Sequence, residues 1–224
     1  MSENKSLYEH LKAQCLDDWK AYIQHDFVRQ LGQGTLKKEC FQHYLKQDYL
    51  FLIQFSRAWG LAVFKSEDLT SMRYAQAGLN AMLDTEIGLH VEYCNDWGIS
   101  EQQLQALPEA SATVAYTRYV MDAGFAGDLL DLHVALAPCI IGYAEIAQWL
   151  AEQPDTVRDS NPYNAWIEMY LSDEYQQAAR TERELLDTLG QDLPPARLAA
   201  LEKRFRTATR MEVSFWQMGL DLAD

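Results

Sequence analysis

The sequence predicts an all-α fold, and two observations support this. Alanine and leucine account for 55 residues, whereas valine and isoleucine account for only 16. Helices favour alanine and leucine and strands favour β-branched residues, so this composition favours helices. Apolar residues also recur at steps of three and four in every long segment, as they do on the buried face of an amphipathic helix.

The same periodicity, with the residues that interrupt it, gives the order of the helices. Gly32 and Gly34 interrupt the first junction, Gly98 follows the third helix, and Pro194 with Pro195 separates the last two. The predicted helices cover 5–30, 36–64, 69–97, 111–123, 127–152, 162–171, 173–190 and 195–219.

Local motifs mark two of the junctions. Ser100 and Gln103 have the spacing of a capping box, which predicts a short helical turn before Pro108. Asn161 followed by Pro162 predicts an N-cap with proline at the first helical position.

Pro138 is unusual because it lies inside the predicted helix 127–152. A proline there removes one backbone hydrogen bond and predicts a kink. Such a kink would free carbonyl groups and re-aim the neighbouring Cys139 thiol. The alternative is a kink that is simply tolerated by packing against another helix.

Composition and charge restrict the class of protein. The 224 residues are 48% apolar and 12% aromatic, which predicts a folded chain, and no linker is visible, which predicts one domain over 1–224. Nineteen Lys and Arg stand against 33 Asp and Glu, a net charge of -14, and the longest basic runs are Lys37–Lys38 and 204–206. Duplex binding needs cationic clusters, so we expect no nucleic-acid partner.

The sequence also predicts a cytoplasmic protein. Residues 1–14 contain no apolar segment of the kind found in secretory signals, and no run of about 18 apolar residues predicts a membrane span. The four cysteines are far apart and form no C-x-x-C pair, which favours free thiols in a reducing compartment over a zinc site or a disulfide framework. They are Cys15, Cys40, Cys94 and Cys139.

Four predicted helices place chemically reactive side chains on faces that are otherwise largely apolar. These side chains are Asp48, Glu86 with His90, Cys139 and Glu212. Burial of an ionised carboxylate without a partner costs several kcal/mol or shifts its pKa. Because several helices carry such a residue, we expect their apolar faces to converge around a polar ligand or cavity. Carboxylates and a thiol among aromatic residues are typical of an active site. The faces are Phe41, Tyr44, Asp48, Phe51, Phe55 and Trp59; Leu79, Leu83, Glu86, His90 and Tyr93; Leu132, Leu136, Cys139, Tyr143 and Ile146; and Phe205, Ala208, Glu212, Phe215 and Trp216.

Each of these residues also has a purely structural interpretation. A neighbouring hydroxyl or arginine would satisfy Asp48. Glu86 and His90, four residues apart, would pair with each other on the surface. Cys139 would be a small buried apolar residue.

Glu212 would form a solvated ion pair with Arg206 or Arg210. Five tyrosines would individually be core residues. They are Tyr44, Tyr116, Tyr143, Tyr163 and Tyr170.

Metal and phosphate chemistry lack their motifs. Di-iron bundles use E-x-x-H pairs, and no glutamate here has a histidine three residues later. The pairs Glu39–His43 and Glu86–His90 are spaced by four and lack a second carboxylate set. Neither a glycine-rich phosphate loop nor G-x-S-x-G occurs, so we expect no metal and no cofactor. The presence of histidines leaves haem ligation open, although no local motif supports it. The candidate ligands are His25, His43, His90 and His133.

The segment LHVALAPCIIGYAEIAQWL (132–150) resembles the cysteine-containing TenA family, also called thiaminase II or aminopyrimidine aminohydrolase. Five further blocks follow the family's order: YLKQDYLFL (44–52), GLNAMLDTEIGLHVEY (78–93), ATVAYTRYV (112–120), NPYNAWIEMYLSDEY (161–175) and RMEVSFWQM (210–218). The resemblance implies a haem-oxygenase-like helical fold without haem, a homotetramer, and hydrolysis of an aminopyrimidine in thiamine salvage.

The resemblance also implies a role for individual residues. Cys139 matches the nucleophile and Glu212 the acid/base. Asp48 matches the carboxylate that hydrogen-bonds the aminopyrimidine. Tyr116 matches a phenol that lines or stacks on the ring.

Five further positions match the family's pocket or depart from it. Tyr143 and Tyr163 match phenols that hold the thiol and the glutamate in place, and Phe215 resembles an aromatic wall. Glu86 falls in a recurrent block as a supporting residue. Phe51 stands where the family often has tyrosine, so we expect a less firmly held Glu212 and a changed rate, with the same reaction class.

Two other functions compete with hydrolysis of an aminopyrimidine. One is a non-catalytic pyrimidine-binding or regulatory protein, which would need neither the thiol nor a second acid. The other is an oxidase related to the biosynthesis of the quinone cofactor PQQ, which would favour positive side chains around an acidic substrate. The sequence leaves open whether the aminomethylpyrimidine, thiamine or a formylated product is preferred.

Overall fold

The computed structural model describes residues 6–224, and all regular elements in that range are helical, which confirms the all-α prediction. The contacts divide the chain into two compact units. The first unit comprises the residues up to Leu36 together with His133–Trp216, and the second comprises Lys37–Leu132 together with Gln217–Asp224. The single domain over 1–224 stays a prediction.

Twelve α-helices and one π-helical segment make up the described chain. They are α1 (Leu7–Gln14), α2 (Leu16–Ile23), α3 (Asp26–Gly32), α4 (Lys38–Lys65), α5 (Leu69–Asn80), the π segment (Ala81–Glu86), α6 (Ile87–Asp96), α7 (Glu101–Gln105), α8 (Ser111–Ala126), α9 (Leu129–Glu152), α10 (Asn164–Leu171), α11 (Asp173–Leu189) and α12 (Pro195–Asp221).

The prediction of one continuous helix over 5–30 is wrong, because the structure has three helices there, α1, α2 and α3. Residue 5 itself lies outside the described residues. Cys15 leaves the helical region with φ -134°, which separates α1 from α2. His25 then caps α3, with its ring nitrogen accepting from the Phe27 N–H. Apolar periodicity continues through both breaks, so the pattern alone does not reveal them.

The two predicted caps have opposite outcomes. The capping box of Ser100 and Gln103 is confirmed at the start of α7. The N-cap at Asn161 is wrong, because α10 begins only at Asn164. The Asn161 Oδ1 accepts from the Tyr163 N–H before the helix begins, and its Nδ2 lies within hydrogen-bond distance of the Leu31, Gly32 and Val157 carbonyls. Asn161 is therefore bound to the end of α3 and the loop before α10.

α9 is largely buried, and from His133 onward it belongs to the first unit. Among the described residues it alone is long and apolar enough to cross a membrane, but 83% of its most apolar window is buried inside the protein. Such burial is typical of a core helix. Pro138 lies within α9, and the helix continues on both sides of it.

Hydrogen bonds and ion pairs connect α9 to neighbouring helices of the first unit. Glu145 of α9 accepts from four donors on α1, α2 and α11, namely Tyr8, Lys12, Trp19 and Arg183. Burial, followed by the charge of Glu145, raises the pKa of Tyr8 well above its usual value. A buried contact of 2.9 Å joins His133 Nδ1 to Glu182 Oε1 of α11. These contacts fix the helix that carries Cys139.

α4 is the central helix of the second unit and packs against α5, the π segment, α6, α7 and α8. At Gly78 of α5, a Cβ atom would lie 2.6 Å from the Trp59 ring of α4, so only glycine permits this approach. Gln47 accepts from the Ala110 N–H and the Thr113 hydroxyl and thereby holds the start of α8 against α4.

The π segment changes which residues of the predicted helix 69–97 face α4. Leu83, predicted to lie on the same buried face as His90, is 51% exposed, so that part of the face was wrong. Over the twelve positions from Gly78 to His90, a regular α-helix would rotate His90 about 120° away from Gly78. A π-helical turn takes up more residues and rotates less at each one, which reduces this offset. Gly78 and His90 therefore both contact α4.

Candidate active site

The two units each contain part of the predicted residue set. The first unit holds Cys139, Tyr143, Tyr163, Glu212 and Phe215. The second unit holds Asp48, Phe51, Glu86 and Tyr116.

Cys139 is half-buried, whereas the residues on either side of it in α9 are buried. The other three thiols are buried. Burial raises the pKa of Cys15 and of Cys94 to about 11 and also raises that of Cys40. A reactive cysteine must be reached by substrate as a thiolate, so Cys139 is the best placed of the four. The interpretation as a small buried apolar residue fits the other three better.

Two tyrosines bind the backbone at Cys139. The Tyr22 hydroxyl donates to the Pro138 carbonyl at 3.1 Å, and the Tyr175 hydroxyl donates to the Cys139 carbonyl at 3.5 Å. A Cβ atom at Gly142 would overlap the Tyr22 ring, so this glycine permits the close approach of α2. Neither tyrosine was predicted from the sequence to lie at the site; for Tyr22, the only local signal is Gly142, a glycine among large residues of α9.

Tyr143 and Tyr163 lie in the first unit with different surroundings. The Tyr143 ring packs against Tyr170 at 4.9 Å and Trp216 at 5.4 Å between centroids. The Tyr163 hydroxyl donates to the Leu36 carbonyl at 2.6 Å. Their implied role of holding the thiol and the glutamate stays a prediction.

Glu212 is buried on α12, with 1% of its surface exposed. Phe215 and Trp216, on the same helix, are buried as well. Arg206 contacts Asp18 at 3.4 Å, and Arg210 is exposed. The structure therefore does not support a solvated ion pair of Glu212 with either arginine. A buried carboxyl beside aromatic residues is the environment in which a glutamate acts as a general acid.

Asp48 in the second unit is buried and receives two hydrogen-bond partners on one oxygen. The Tyr44 hydroxyl donates to Oδ2 at 3.2 Å, and His90 Nε2 lies 2.6 Å from the same atom. The structural interpretation of Asp48 is thus confirmed in part, because a neighbouring hydroxyl does bind it. The contact with His90 was not predicted from the sequence.

The predicted surface pair of Glu86 and His90 is wrong. His90 is only 3% exposed, and its Nδ1 lies 2.8 Å from the backbone carbonyl of Glu86 rather than from the carboxylate. The Glu86 side chain, at the end of the π segment, is half-buried. Burial raises its pKa to about 7, with nearby His90 lowering and Asp48 further raising it.

Phe51 and Tyr116 lie together in the second unit. Their ring centroids are 5.0 Å apart at an interplanar angle of 43°, and Phe51 also stacks on Phe55 at 5.2 Å. Such a cluster offers apolar ring surfaces of the kind that bind flat aromatic ligands.

Among residues 6–224, no three or more His, Cys, Asp and Glu side chains are grouped so as to hold a metal ion. In chemical terms, the first unit offers a thiol and a buried carboxyl. The second offers a carboxylate bound to an imidazole, beside aromatic rings.

Three comparisons relate the chain to known proteins. The sequence profile of the TENA/THI-4/PQQC family matches residues 12–222. An aminopyrimidine aminohydrolase from Halalkalibacterium halodurans is 39% identical over 97% of this chain and 95% of its own. The crystal structure of a TenA family transcription regulator from Silicibacter sp. TM1040 has a TM-score of 0.89 at 44% identity, covering 98% of this chain and 99% of that one.

A domain of unknown function with a heme oxygenase-like fold, from Shewanella denitrificans OS217, matches with a TM-score of 0.74 at 10% identity. The match covers 96% of this chain and 92% of that one. At this identity the likeness shows the fold alone, and it confirms the predicted haem-oxygenase-like helical architecture.

Proposed function

The chain belongs to the TENA/THI-4/PQQC family, and from this premise we propose that it is an aminopyrimidine aminohydrolase. It hydrolyses 4-amino-5-aminomethyl-2-methylpyrimidine to the 5-hydroxymethyl compound and ammonia, a step of thiamine salvage. The observation that carries the proposal is the half-buried Cys139 within the buried helix α9, in the same unit as the buried carboxyl of Glu212. A related aminopyrimidine aminohydrolase, 39% identical, supports the substrate class.

In the first half of the proposed reaction, the Cys139 thiolate adds to an electrophilic ring carbon of the pyrimidine. This addition moves a pair of ring electrons onto a ring nitrogen, and Glu212 protonates that nitrogen. The ring electrons then expel the amine from the 5-methylene carbon, and that amine leaves as ammonia after it takes up a proton. Covalent catalysis of this kind divides one difficult displacement into two easier steps.

In the second half, water adds to the exocyclic methylene carbon and gives up one proton. Elimination of the Cys139 sulfur restores the aromatic ring, and Glu212 takes back the proton from the ring nitrogen. The sum is the substrate plus water giving hydroxymethylpyrimidine plus ammonia. Glu212 is buried beside aromatic residues of α12, an environment that suits a carboxyl that first gives and later accepts a proton.

Binding of the pyrimidine is assigned to acceptors and aromatic rings. Asp48 accepts from the 4-amino group of the substrate, and Tyr116 with Phe51 contacts the ring faces. Tyr143, Tyr163 and Phe215 surround the reacting groups, and Glu86 supports Asp48. We further propose that the protein is cytoplasmic, works as a homotetramer, and needs no cofactor.

A pyrimidine-responsive regulator is the second candidate function, favoured by the description of the related Silicibacter protein as a transcription regulator. Such a protein would bind the pyrimidine without turning it over. The thiol of Cys139 has no role in that function, so its chemistry separates the two candidates.

The test is ammonia release from 4-amino-5-aminomethyl-2-methylpyrimidine by the purified protein, with Cys139→Ser run alongside. We expect release by the wild type and loss of at least about 1,000-fold in the variant, because a serine hydroxyl is far less ionised than a thiol. Binding of the hydroxymethyl product, measured by calorimetry, should be nearly unchanged. Cys40→Ser is the matched control, because it makes the same substitution at a buried cysteine to which the mechanism gives no role.

Wild-type activity in Cys139→Ser would exclude the nucleophilic role. Binding of the pyrimidine without ammonia release from the wild type would favour the regulator. Thiamine, assayed in parallel by release of the thiazole, shows whether the larger leaving group is accepted.

A further inference from the structure

The imidazole of His90 lies between two oxygen atoms of the second unit. Nδ1 is 2.8 Å from the Glu86 carbonyl oxygen, and Nε2 is 2.6 Å from Asp48 Oδ2. A carbonyl oxygen only accepts hydrogen bonds, so Nδ1 must carry a proton. Asp48 Oδ2 also accepts from the Tyr44 hydroxyl. His90 and Asp48 are both buried, with 3% and 5% of their surfaces exposed.

With Nδ1 protonated, the short contact at Nε2 requires one more proton. Either Nε2 donates to an ionised Asp48, or a protonated Asp48 donates to Nε2. The titratable groups that act on the ring are Asp48 from α4 and Glu86 from the π segment. Burial alone would lower the pKa of His90, but the hydrogen bond and charge of Asp48, and then the Glu86 contacts, raise it overall. The proton therefore belongs on the ring.

We propose that His90 is a positioning residue that binds Asp48 as a buried imidazolium–carboxylate pair and so presents the second carboxylate oxygen to the aminopyrimidine. This inference rests on the proposed function, because the group that binds Asp48 Oδ1 is taken to be the aminopyrimidine substrate. Oδ2 is engaged by His90 and Tyr44, which leaves Oδ1 to accept from the 4-amino group of the substrate. A fixed acceptor loses little freedom on binding, and that strengthens its hydrogen bond.

Two substitutions separate the contacts of the imidazole. His90→Gln places a neutral amide donor near the Nε2 position, which keeps a hydrogen bond to Asp48 but removes the charge. His90→Asn reaches only the Nδ1 position, which keeps the bond to Glu86 but removes the donor to Asp48. The KM and kcat for the aminomethylpyrimidine are measured for both variants and the wild type between pH 5 and 9, together with melting temperatures.

We expect His90→Asn to raise KM by about 10- to 100-fold, the effect of a lost hydrogen bond between charged groups, with a smaller change in kcat. The KM of the wild type should rise as the pH increases through the pKa of His90, because deprotonation removes the imidazolium. In His90→Gln this alkaline rise should be absent. A merely structural role would lower the melting temperatures and leave the pH profile of KM unchanged.

Nitrogen-15 NMR of the wild-type imidazoles gives a readout that is independent of turnover. We expect one side chain, missing from the His90→Gln spectrum, with both ring nitrogens protonated at pH 7.5. A neutral His90 at this pH, a wild-type KM in His90→Asn, or an alkaline rise kept in His90→Gln would each overturn the inference. A wild-type protein that neither hydrolyses nor binds the pyrimidine would instead overturn the proposed function, and with it the ligand given to Asp48.

Discussion

Glu86 shows how one half-buried carboxyl couples the protonation of a residue to the stability of the fold. Its pKa in the folded protein is about 7, well above the usual value of 4.5. The native state therefore binds this proton more tightly than the unfolded state. The resulting stabilisation is fully present below about pH 4.5 and is lost as the pH rises through 7.

We therefore expect Glu86→Gln, which cannot ionise, to be nearly as stable as the wild type at pH 5 and more stable at pH 8. The difference at pH 8 should reach about 1 to 2 kcal/mol, less than the full shift implies because solvent screens a half-exposed group. Thermal melting at both pH values measures it. Glu92→Gln, an exposed carboxyl on α6, removes the same charge and serves as the control. An equal difference at both pH values would contradict the coupling.

At the same scale, the sequence predicted which residues are buried better than it predicted their partners. Asp48, Cys139 and Glu212 were each placed on an apolar helix face, and all three lie on largely buried faces. The contact of Asp48 with His90 escaped prediction because it joins residues 42 positions apart. Periodicity shows which face of a helix is buried, but not which side chain of another helix lies opposite.

Among the elements, α2 and α9 are held together at the backbone that carries Cys139. Gly142 permits the Tyr22 ring to approach α9, and the Tyr22 hydroxyl binds the Pro138 carbonyl. That carbonyl directly precedes Cys139, so packing between these helices fixes the position of the candidate nucleophile.

We expect Gly142→Ala to displace the Tyr22 ring, with a loss of about 1 to 3 kcal/mol of stability, the usual cost of overpacking. The kcat should fall as well, because the Pro138 carbonyl loses its hydrogen bond. Gly60→Ala is the control within another long helix. A Cβ atom there would meet nothing within 4 Å apart from its chain neighbours and the backbone of its own helix, so we expect a gain of about 0.5 to 1 kcal/mol. Urea denaturation and steady-state kinetics check both variants. Equal stability changes in the two would show that Gly142 is not a packing constraint.

The elements also show where sequence periodicity stops being informative. Most predicted helices end within a few residues of the observed ones, because glycine, proline and capping side chains mark the ends locally. The breaks between α1, α2 and α3 contain no glycine or proline, and apolar periodicity continues through them. The π segment also contains neither residue, although it changes which side chains are buried. The rotation at the π segment follows instead from tertiary contacts, those of Gly78 with Trp59 and of His90 with Asp48.

The whole molecule carries a net charge of -14, and this bears on the regulator as an alternative function. DNA binding depends on cations that displace counterions from phosphates. The basic segments are short: Lys37 with Lys38, and 203–206, which contains the three cations Lys203, Arg204 and Arg206. Of these, Arg206 already contacts Asp18. The field around such a chain repels a polyanion, so we expect any regulatory role to act through another protein.

We therefore expect no retardation of duplex DNA by the protein at about 10 µM and 50 mM salt, with or without the hydroxymethylpyrimidine. Low salt strengthens every phosphate contact, so these conditions favour binding and make a negative result informative. A gel-shift or fluorescence-anisotropy titration measures it. Binding that weakens as salt is added would show that local cations overcome the net charge, and ligand-dependent binding would favour the regulator. Absence of binding together with ammonia release leaves hydrolysis as the function that accounts for both the acidic surface and the reachable thiol.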